Sequence, residues 1–281
     1  MNESVRKIRA FWQWFFQLET SVQIDFLKYK CIKFFSVLKK ISQNRISKHL
    51  YINEFYSFIT PYDFFKYSLD KEIKSLGIKV VKIKNYEISY SEVLWQKCYT
   101  SFDDFLPNGV VIDVGAQYGD YSVLCAKLYN SIVYSFEPLP TNFKILKKNI
   151  TINKLNKKIK AFNVAVGAVN KNVVIKYSGD MGGVVGDSNL VVKMISLDNL
   201  SLKPNLLKID AEGFELDVLK GGVEMIKKNK PKIIVETHSK KLRRDVNSFL
   251  KNNRYKLEHI GKISTTDPAH DELVTLFYKF D

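Results

Sequence analysis

Asp113, Glu137, Asp210, Glu236 and His238 are the side chains of this sequence best placed to handle a charged cofactor and a mobile proton. Each follows or closes a short apolar run. The first run is Val110-Val111-Ile112, closed by Asp113 and followed by the turn Gly115-Ala116-Gln117-Tyr118-Gly119. A strand, a tight glycine turn and a helix start form the nucleotide-holding corner of a doubly wound sheet. The spacing Gly115-x-x-x-Gly119 is not the G-x-G-x-x-G that seats a pyrophosphate on a helix N-terminus. A single glycine turn suits the sulfonium amino acid of S-adenosylmethionine (SAM) better than a dinucleotide. Glu137 closes a second run, Ile132-Val133-Tyr134-Ser135-Phe136, roughly 20 residues after the turn, where such folds grip ribose hydroxyls. Its carboxylate accepts two hydrogen bonds at once, which a neutral side chain does less well.

Asp210 and Glu212 follow the apolar run Leu206 to Ile209, and Glu236 and His238 follow Ile233-Ile234-Val235. Both pairs therefore stand at strand ends, the rim where open α/β sheets bind ligands. Methyl transfer from a sulfonium is an in-line displacement whose main demand is alignment. An alcohol acceptor also needs a base within reach. His238 is the best base by intrinsic pKa, with Asp210 and Glu236 as alternatives that can instead orient the imidazole. Asp210 also suits a place beside the sulfonium or amino group, by opposite charge. Glu212 is expected to accept the amide hydrogens of the helix start that follows it. Asp210, Glu236 and His238 are also of the types that hold a hard divalent cation, but their spacing is no metal signature, and no metal is expected. His49, His259 and His270 have no motif around them and read as structural or exposed.

These residues need a scaffold of alternating strands and helices, and the pattern supplies one. Strands are expected at 110–114, 132–136, 160–166, 206–210, 231–235, 255–260 and 272–280, with an added pair at 173–176 and 191–195. Helices are expected at 62–76, 92–102, 121–129, 141–152 and 240–251, and another after Gly213 that ends at Gly221-Gly222. Thr141 and Asn142 are cap candidates. A small hairpin is expected over 79–83 and 86–90, around Lys84-Asn85. The fold class is α/β, a doubly wound sheet carrying a helical N-terminal extension, with the extension at 1–77 and the catalytic domain at 78–281.

The composition fits one such domain plus the extension. The chain has 281 residues, 46% of them hydrophobic, enough for a large core. Cys31, Cys98 and Cys125 are scattered and odd in number, which points to a reducing, cytoplasmic compartment. There is no run of 18 apolar residues, and the first residues do not read as a secretory signal. The net charge of +15 is uneven, for residues 1–50 carry ten Lys or Arg against three Asp or Glu. There, Lys28, Lys30, Lys33, Lys39 and Lys40 are interleaved with Phe26, Leu27, Ile32, Phe34, Phe35 and Leu38. A helix pair of this kind packs on the catalytic domain or on a second copy of the chain. Alternatively it lies peripherally on the inner face of an anionic membrane. Nucleic-acid binding is the weakest of the three readings.

Taken together, the motifs resemble the FkbM family of SAM-dependent methyltransferases. The matching segments are Val111-Ile112-Asp113-Val114-Gly115-Ala116-Gln117-Tyr118-Gly119-Asp120-Tyr121-Ser122, Phe136-Glu137-Pro138 with Asn142-Phe143, Asn163-Val164-Ala165-Val166-Gly167, Leu207-Lys208-Ile209-Asp210-Ala211-Glu212-Gly213, and Ile234-Val235-Glu236-Thr237-His238. They run through residues 80–281. The resemblance implies a class I, Rossmann-like methyltransferase fold and methyl transfer to an oxygen of a sugar, glycolipid or other small metabolite. The expected cofactor contacts are Asp113, Gly115, Ala116, Gln117, Gly119, Glu137, Pro138, Ala165 and Asp210, with Glu137 on the ribose. The expected catalytic set is His238, Asp210 and Glu236. The glycine-rich segment between Tyr177 and Val191 is short, and loops of this kind choose substrates. Competing classes are a nucleic-acid or protein methyltransferase and a non-catalytic SAM-binding protein. Against the former, Asp210-Ala211-Glu212-Gly213 is not the Asp/Asn-Pro-Pro-aromatic turn of base amino-methylation.

Overall fold

The computed structural model of the protein describes residues 69–83, 86–94, 98–177, 188–262 and 273–281. The chain divides into two units, Met1–Ile73 and Lys74–Asp281. The first is described only from residue 69, so the basic, aromatic-rich stretch of residues 1–50 lies outside the described residues. So do the turn at Lys84-Asn85, most of the glycine-rich segment after Tyr177, and residues 263–272.

The second unit opens with helix α1 (Tyr86–Leu94) and a short 3-10 turn at Asp103–Phe105. Then come β1 (Val110–Val114), α2 (Asp120–Leu128), β2 (Ile132–Phe136), α3 (Pro140–Ile152) and β3 (Ile159–Phe162). A smaller insertion follows: β4 (Ala165–Val166), β5 (Lys171–Tyr177) and β6 (Ser188–Ile195). The second half is β7 (Leu206–Ile209), α4 (Glu215–Gly221), α5 (Val223–Asn229), β8 (Lys232–Thr237), α6 (Lys240–Asn252), β9 (Tyr255–Lys262) and β10 (Val274–Phe280).

Seven strands make the main sheet in the order β3-β2-β1-β7-β8-β10-β9, and β4-β6-β5 form a separate three-stranded sheet. The first five strands of the main sheet are parallel; β10 runs antiparallel to both its neighbours. The central strands are continuous apolar runs because both faces are covered. Val111, Ile112, Leu206, Leu207, Ile209, Ile233, Ile234 and Val235 are all fully buried. Strand order reverses at β1, whose other neighbour is β7, so a crevice opens at the carboxyl ends of these two strands. Asp113, Asp210 and Glu236 are carried there. Helix α6 packs a stripe of Leu242, Val246, Phe249 and Leu250 on this core, and the Ser239 hydroxyl caps it by accepting from Leu242 N at 3.2 Å.

Four local expectations are corrected. Residues 79–83 are irregular and 86–94 are helical, not a hairpin. Tyr86, Ser89, Tyr90, Val93 and Leu94 are buried at helical spacing, and helix α1 supersedes the helix expected at 92–102. The strand expected at 160–166 is broken at Asn163, whose side chain leaves the sheet to donate to the carbonyls of Glu137 (2.9 Å) and Pro138 (3.0 Å). Neither Thr141 nor Asn142 caps α3. Leu139 stands at that position with no side-chain cap, and Pro140 opens the helix, where its missing N–H costs nothing. Among the described residues, no helix is long and apolar enough to cross a membrane.

Candidate active site

The turn after β1 closes by tight backbone contacts. Gly115 N and Ala116 N both donate to Phe136 O at 3.0 Å, joining the turn to the end of β2. Gly115 has φ +75°, and a Cβ there would fall 1.7 Å from the carbonyl oxygen of Asp210. Only glycine lets the two loops meet so closely. At Gly119, also left-handed at φ +81°, a Cβ would strike the Leu146 side chain at 2.3 Å.

Glu137 is buried beside this turn. Its two oxygens accept from Gln117 N (2.8 Å) and Leu139 N (2.9 Å). Burial pushes its pKa up to about 7, against the pull of those N–H donors and of Lys208. Asp113 is wholly buried, takes a 2.5 Å hydrogen bond from the Ser122 hydroxyl and lies 3.2 Å from Lys208 Nζ. It braces the turn from beneath. Pro138 is tied in through its carbonyl to Asn163, while Ala165 stands on β4, paired with Met194 in the smaller sheet.

Beside the turn lies the acidic cluster. Asp210 follows β7; His238 follows β8, which ends in Glu236-Thr237. His238 Nε2 is 3.6 Å from Asp210 Oδ1, 3.6 Å from Glu212 Oε2 and 3.9 Å from Glu236 Oε1, and its Nδ1 is 3.5 Å from Glu215 Oε1. Burial disfavours the imidazolium, but Glu215, Asp210 and Glu212 outweigh it and hold the pKa up to about 10. The structure thus brings together all three residues expected to be catalytic, and it gives His238 a proton at neutral pH.

Three participants escaped sequence reasoning. Tyr99 Oη lies 2.7 Å from Glu236 Oε2 and 3.1 Å from Asp210 Oδ2. A phenol has one proton to donate, so it serves both carboxyls together only when one of them is itself protonated. Burial, then Asp210, raises Glu236 well above the carboxylate range, which selects it as the protonated partner. Lys208 is buried inside β7 and joins the two halves of the site. Its Nζ donates to Gly115 O at 3.0 Å, lies 3.7 Å from Asp210 Oδ2 and sits over the Tyr99 ring at 4.8 Å. Burial opposes its charge, but Asp113, Asp210, Asp120 and Glu236 more than offset that. The sequence did hold a signal: a lysine within the buried run Leu206-Leu207-Lys208-Ile209 must find a counter-charge. Glu215 is the third. It takes the role expected of Glu212, with Oε1 accepting from Ala211 N (2.9 Å) and Gly213 N (3.0 Å), and it is fully buried.

The sequence profile of the FkbM methyltransferase domain matches residues 113–257, which span Asp113 through Glu137 and Asp210 to His238. The chain belongs to the FkbM methyltransferase family. Over 163 residues this FkbM chain is 29% identical to the hexuronic acid methyltransferase AglP of Haloferax volcanii, covering 50% of this chain and 61% of that one. It is 22% identical over 168 residues to methyltransferase 1 of Beauveria bassiana, covering 48% of this chain and 66% of that one. Among solved structures, the FkbM methyltransferase of Methylobacillus flagellatus aligns with a TM-score of 0.47 at 17% identity, over 87% of this chain and 58% of that one. The chain therefore spans less than two thirds of the length of each of these relatives.

The site's proton affinities set the pH dependence of the chain's stability. Glu137 rises from 4.5 to about 7 on folding, so between those values the folded chain keeps a proton that the unfolded chain has released. Stability falls as pH rises through that window. His238 rises from 6.5 to about 10, so its contribution is fully present below 6.5 and is lost as pH climbs through 10. Glu236 acts in the same direction as Glu137. With about 1.4 kcal/mol per pKa unit and about 2–4 °C per kcal/mol, the ligand-free chain should melt at least about 5 °C lower at pH 9 than at pH 6. A thermal scan across that range is the check, and a melting point that rises with pH would contradict the burial of these groups.

Proposed function

We propose that this FkbM methyltransferase moves the methyl group of SAM to an oxygen of a sugar, glycan or glycolipid acceptor. The observation that carries the reading is the carboxylate and imidazole cluster of Asp210, Glu236 and His238 at the same rim as the glycine turn. The residues present suit SAM. Gly115 leaves the turn without a side chain where it meets Asp210. Glu137 has lone pairs to spare for ribose hydroxyls after serving Gln117 and Leu139. When bound, SAM supplies a methyl group on a sulfonium, open to in-line attack by oxygen.

The chain's own part is alignment and proton handling. Asp210 stands where its backbone meets the glycine turn, which suits its carboxylate to the cofactor's positive charge. His238 holds its proton to about pH 10, so it is suited to donate an N–H to the acceptor oxygen and orient it. Glu236, whose pKa burial has raised to about 8, takes the acceptor's proton in its ionised form. The likeness to a hexuronic acid methyltransferase favours a sugar, and hydroxyl-rich acceptors suit a rim of carboxylates and imidazole.

The test is transfer of labelled methyl from SAM into extracts separated into lipid, glycan, small-molecule, protein and nucleic-acid fractions. Label is expected in sugar-bearing fractions; label confined to protein or nucleic acid would overturn the acceptor class. For the cofactor arm, Glu137→Gln is expected to weaken SAM binding about tenfold or more, since hydrogen bonds to a charged group contribute about 1.5–3 kcal/mol. Unchanged affinity by calorimetry would remove the ribose assignment.

A further inference from the structure

We propose that Asp210, Glu215 and His238 form a binding site for one divalent cation. The three come from separate elements: Asp210 follows β7, Glu215 opens α4, and His238 follows β8. One ligand atom from each lies within 4.8 Å of the others. Asp210 Oδ1, Glu215 Oε2 and His238 Nδ1 are all buried, and none has a hydrogen-bond partner. Buried polar atoms are rarely left so, and three in one place carry a substantial desolvation cost.

The partners of the remaining oxygens strengthen the case. Asp210 spends Oδ2 on Tyr99 Oη and lies near Lys208 through the same atom, which leaves Oδ1 free. Glu215 spends Oε1 on the amides of Ala211 and Gly213, which leaves Oε2 free, although its carboxyl is fully buried. In both residues one oxygen is pinned by hydrogen bonds to the protein and the other makes none, Asp210 Oδ1 lying 3.6 Å from His238 Nε2. Outer partners of this kind orient metal ligands and fix their direction. Glu236 is not a member of this set: the ligand atoms that lie within 4.8 Å of one another belong to Asp210, Glu215 and His238. The ligand trio therefore differs from Asp210, Glu236 and His238, and the proposal departs from the sequence expectation of no metal.

An ion held there would displace a proton from the His238 ring. Two carboxylates and one imidazole suit one that accepts both oxygen and nitrogen, such as Mn2+, better than Ca2+, which prefers oxygen alone. With three protein ligands, coordination positions remain for a substrate oxygen, whose proton the ion would make easier to remove. That role rests on the acceptor reading above; binding of the ion does not.

The experiment titrates Mn2+ into the purified, chelator-treated full chain without SAM and follows the free-ion signal by electron paramagnetic resonance. One tightly bound Mn2+ per chain is expected. His238→Ala and Asp210→Asn should each weaken binding by about ten- to a hundredfold, at least the loss seen for outer-shell partners. Circular dichroism on each variant separates lost binding from lost folding, and one variant that keeps its fold is enough for the comparison. No bound Mn2+ in the wild-type chain, or unchanged affinity in the folded variants, would overturn the site. Mn2+ binding without methyl transfer to sugars would leave the site standing and remove the acceptor reading. The reverse result would do the opposite.

Discussion

Glu236→Gln is expected to lower methyl-transfer turnover by about 10²–10⁴-fold, the usual contribution of a positioned base. SAM affinity and melting temperature should change little. The reason lies in the proton that burial and Asp210 keep on Glu236 when no ligand is present. A glutamine amide reproduces that neutral carboxyl in shape and can still hydrogen-bond Tyr99 Oη, 2.7 Å from Oε2 in the native chain. The fold therefore loses nothing that it was using. The reaction loses the only form that can take a proton, the carboxylate. In the wild-type chain turnover should climb as pH rises through the elevated pKa of Glu236, and in the variant that limb should vanish. Single-turnover rates over a pH series, with thermal melts beside them, make the comparison. A variant with near-native turnover would hand the base role to another group.

Lys208→Met should cost about 3–5 kcal/mol of folding stability, as expected when one partner of a buried ion pair is removed. The ammonium faces Asp113 at 3.2 Å, Asp210 at 3.7 Å and the carbonyl of Gly115 at 3.0 Å, and both Lys208 and Asp113 are out of water. Methionine fills the space but leaves the Asp113 carboxyl buried without its counter-charge, the Ser122 hydroxyl its remaining donor among the described residues. Adding Asp113→Asn removes that stranded charge, so the double variant should recover most of the loss. Urea denaturation of the four chains closes the cycle. A single-variant loss below about 1 kcal/mol would mean that the charges had relaxed to water, contrary to their burial.

The parts of the site written in strand ends were legible in the sequence. Asp113, Glu137, Asp210 and Glu236 each end an apolar run, and parallel strands deliver such ends to one rim. Side chains that reach the rim from elsewhere were not legible. Tyr99 comes from the connection before β1, where no periodicity announces a role. The segment from Tyr86 to Tyr90 alternates like a strand, yet Tyr86, Ser89, Tyr90 and Val93 also fall on one helical stripe, and tertiary burial chose the helix. The exchange between Glu212 and Glu215 was set by the backbone: Glu212 adopts φ +49°, and the amides of Ala211 and Gly213 are left to Glu215. A sequence reading sees two glutamates near a helix start and has no means to choose between them.

The ladder between β1 and β7 has a consequence for how the protein comes into being. It is the link within the main sheet between β1–β3, which carry the glycine turn and Glu137, and β7–β10, which carry the acidic cluster. At its amino end, Val110 N and Asn205 Oδ1 meet across 95 positions of chain. Contacts so distant along the sequence form late and slowly, because the intervening chain must be drawn in before they repay its lost entropy. The close packing of Gly115 against the carbonyl of Asp210 bridges the same seam. On the ribosome the first half can be made and packed while the site does not yet exist. The candidate site is complete only when the two halves meet along this ladder.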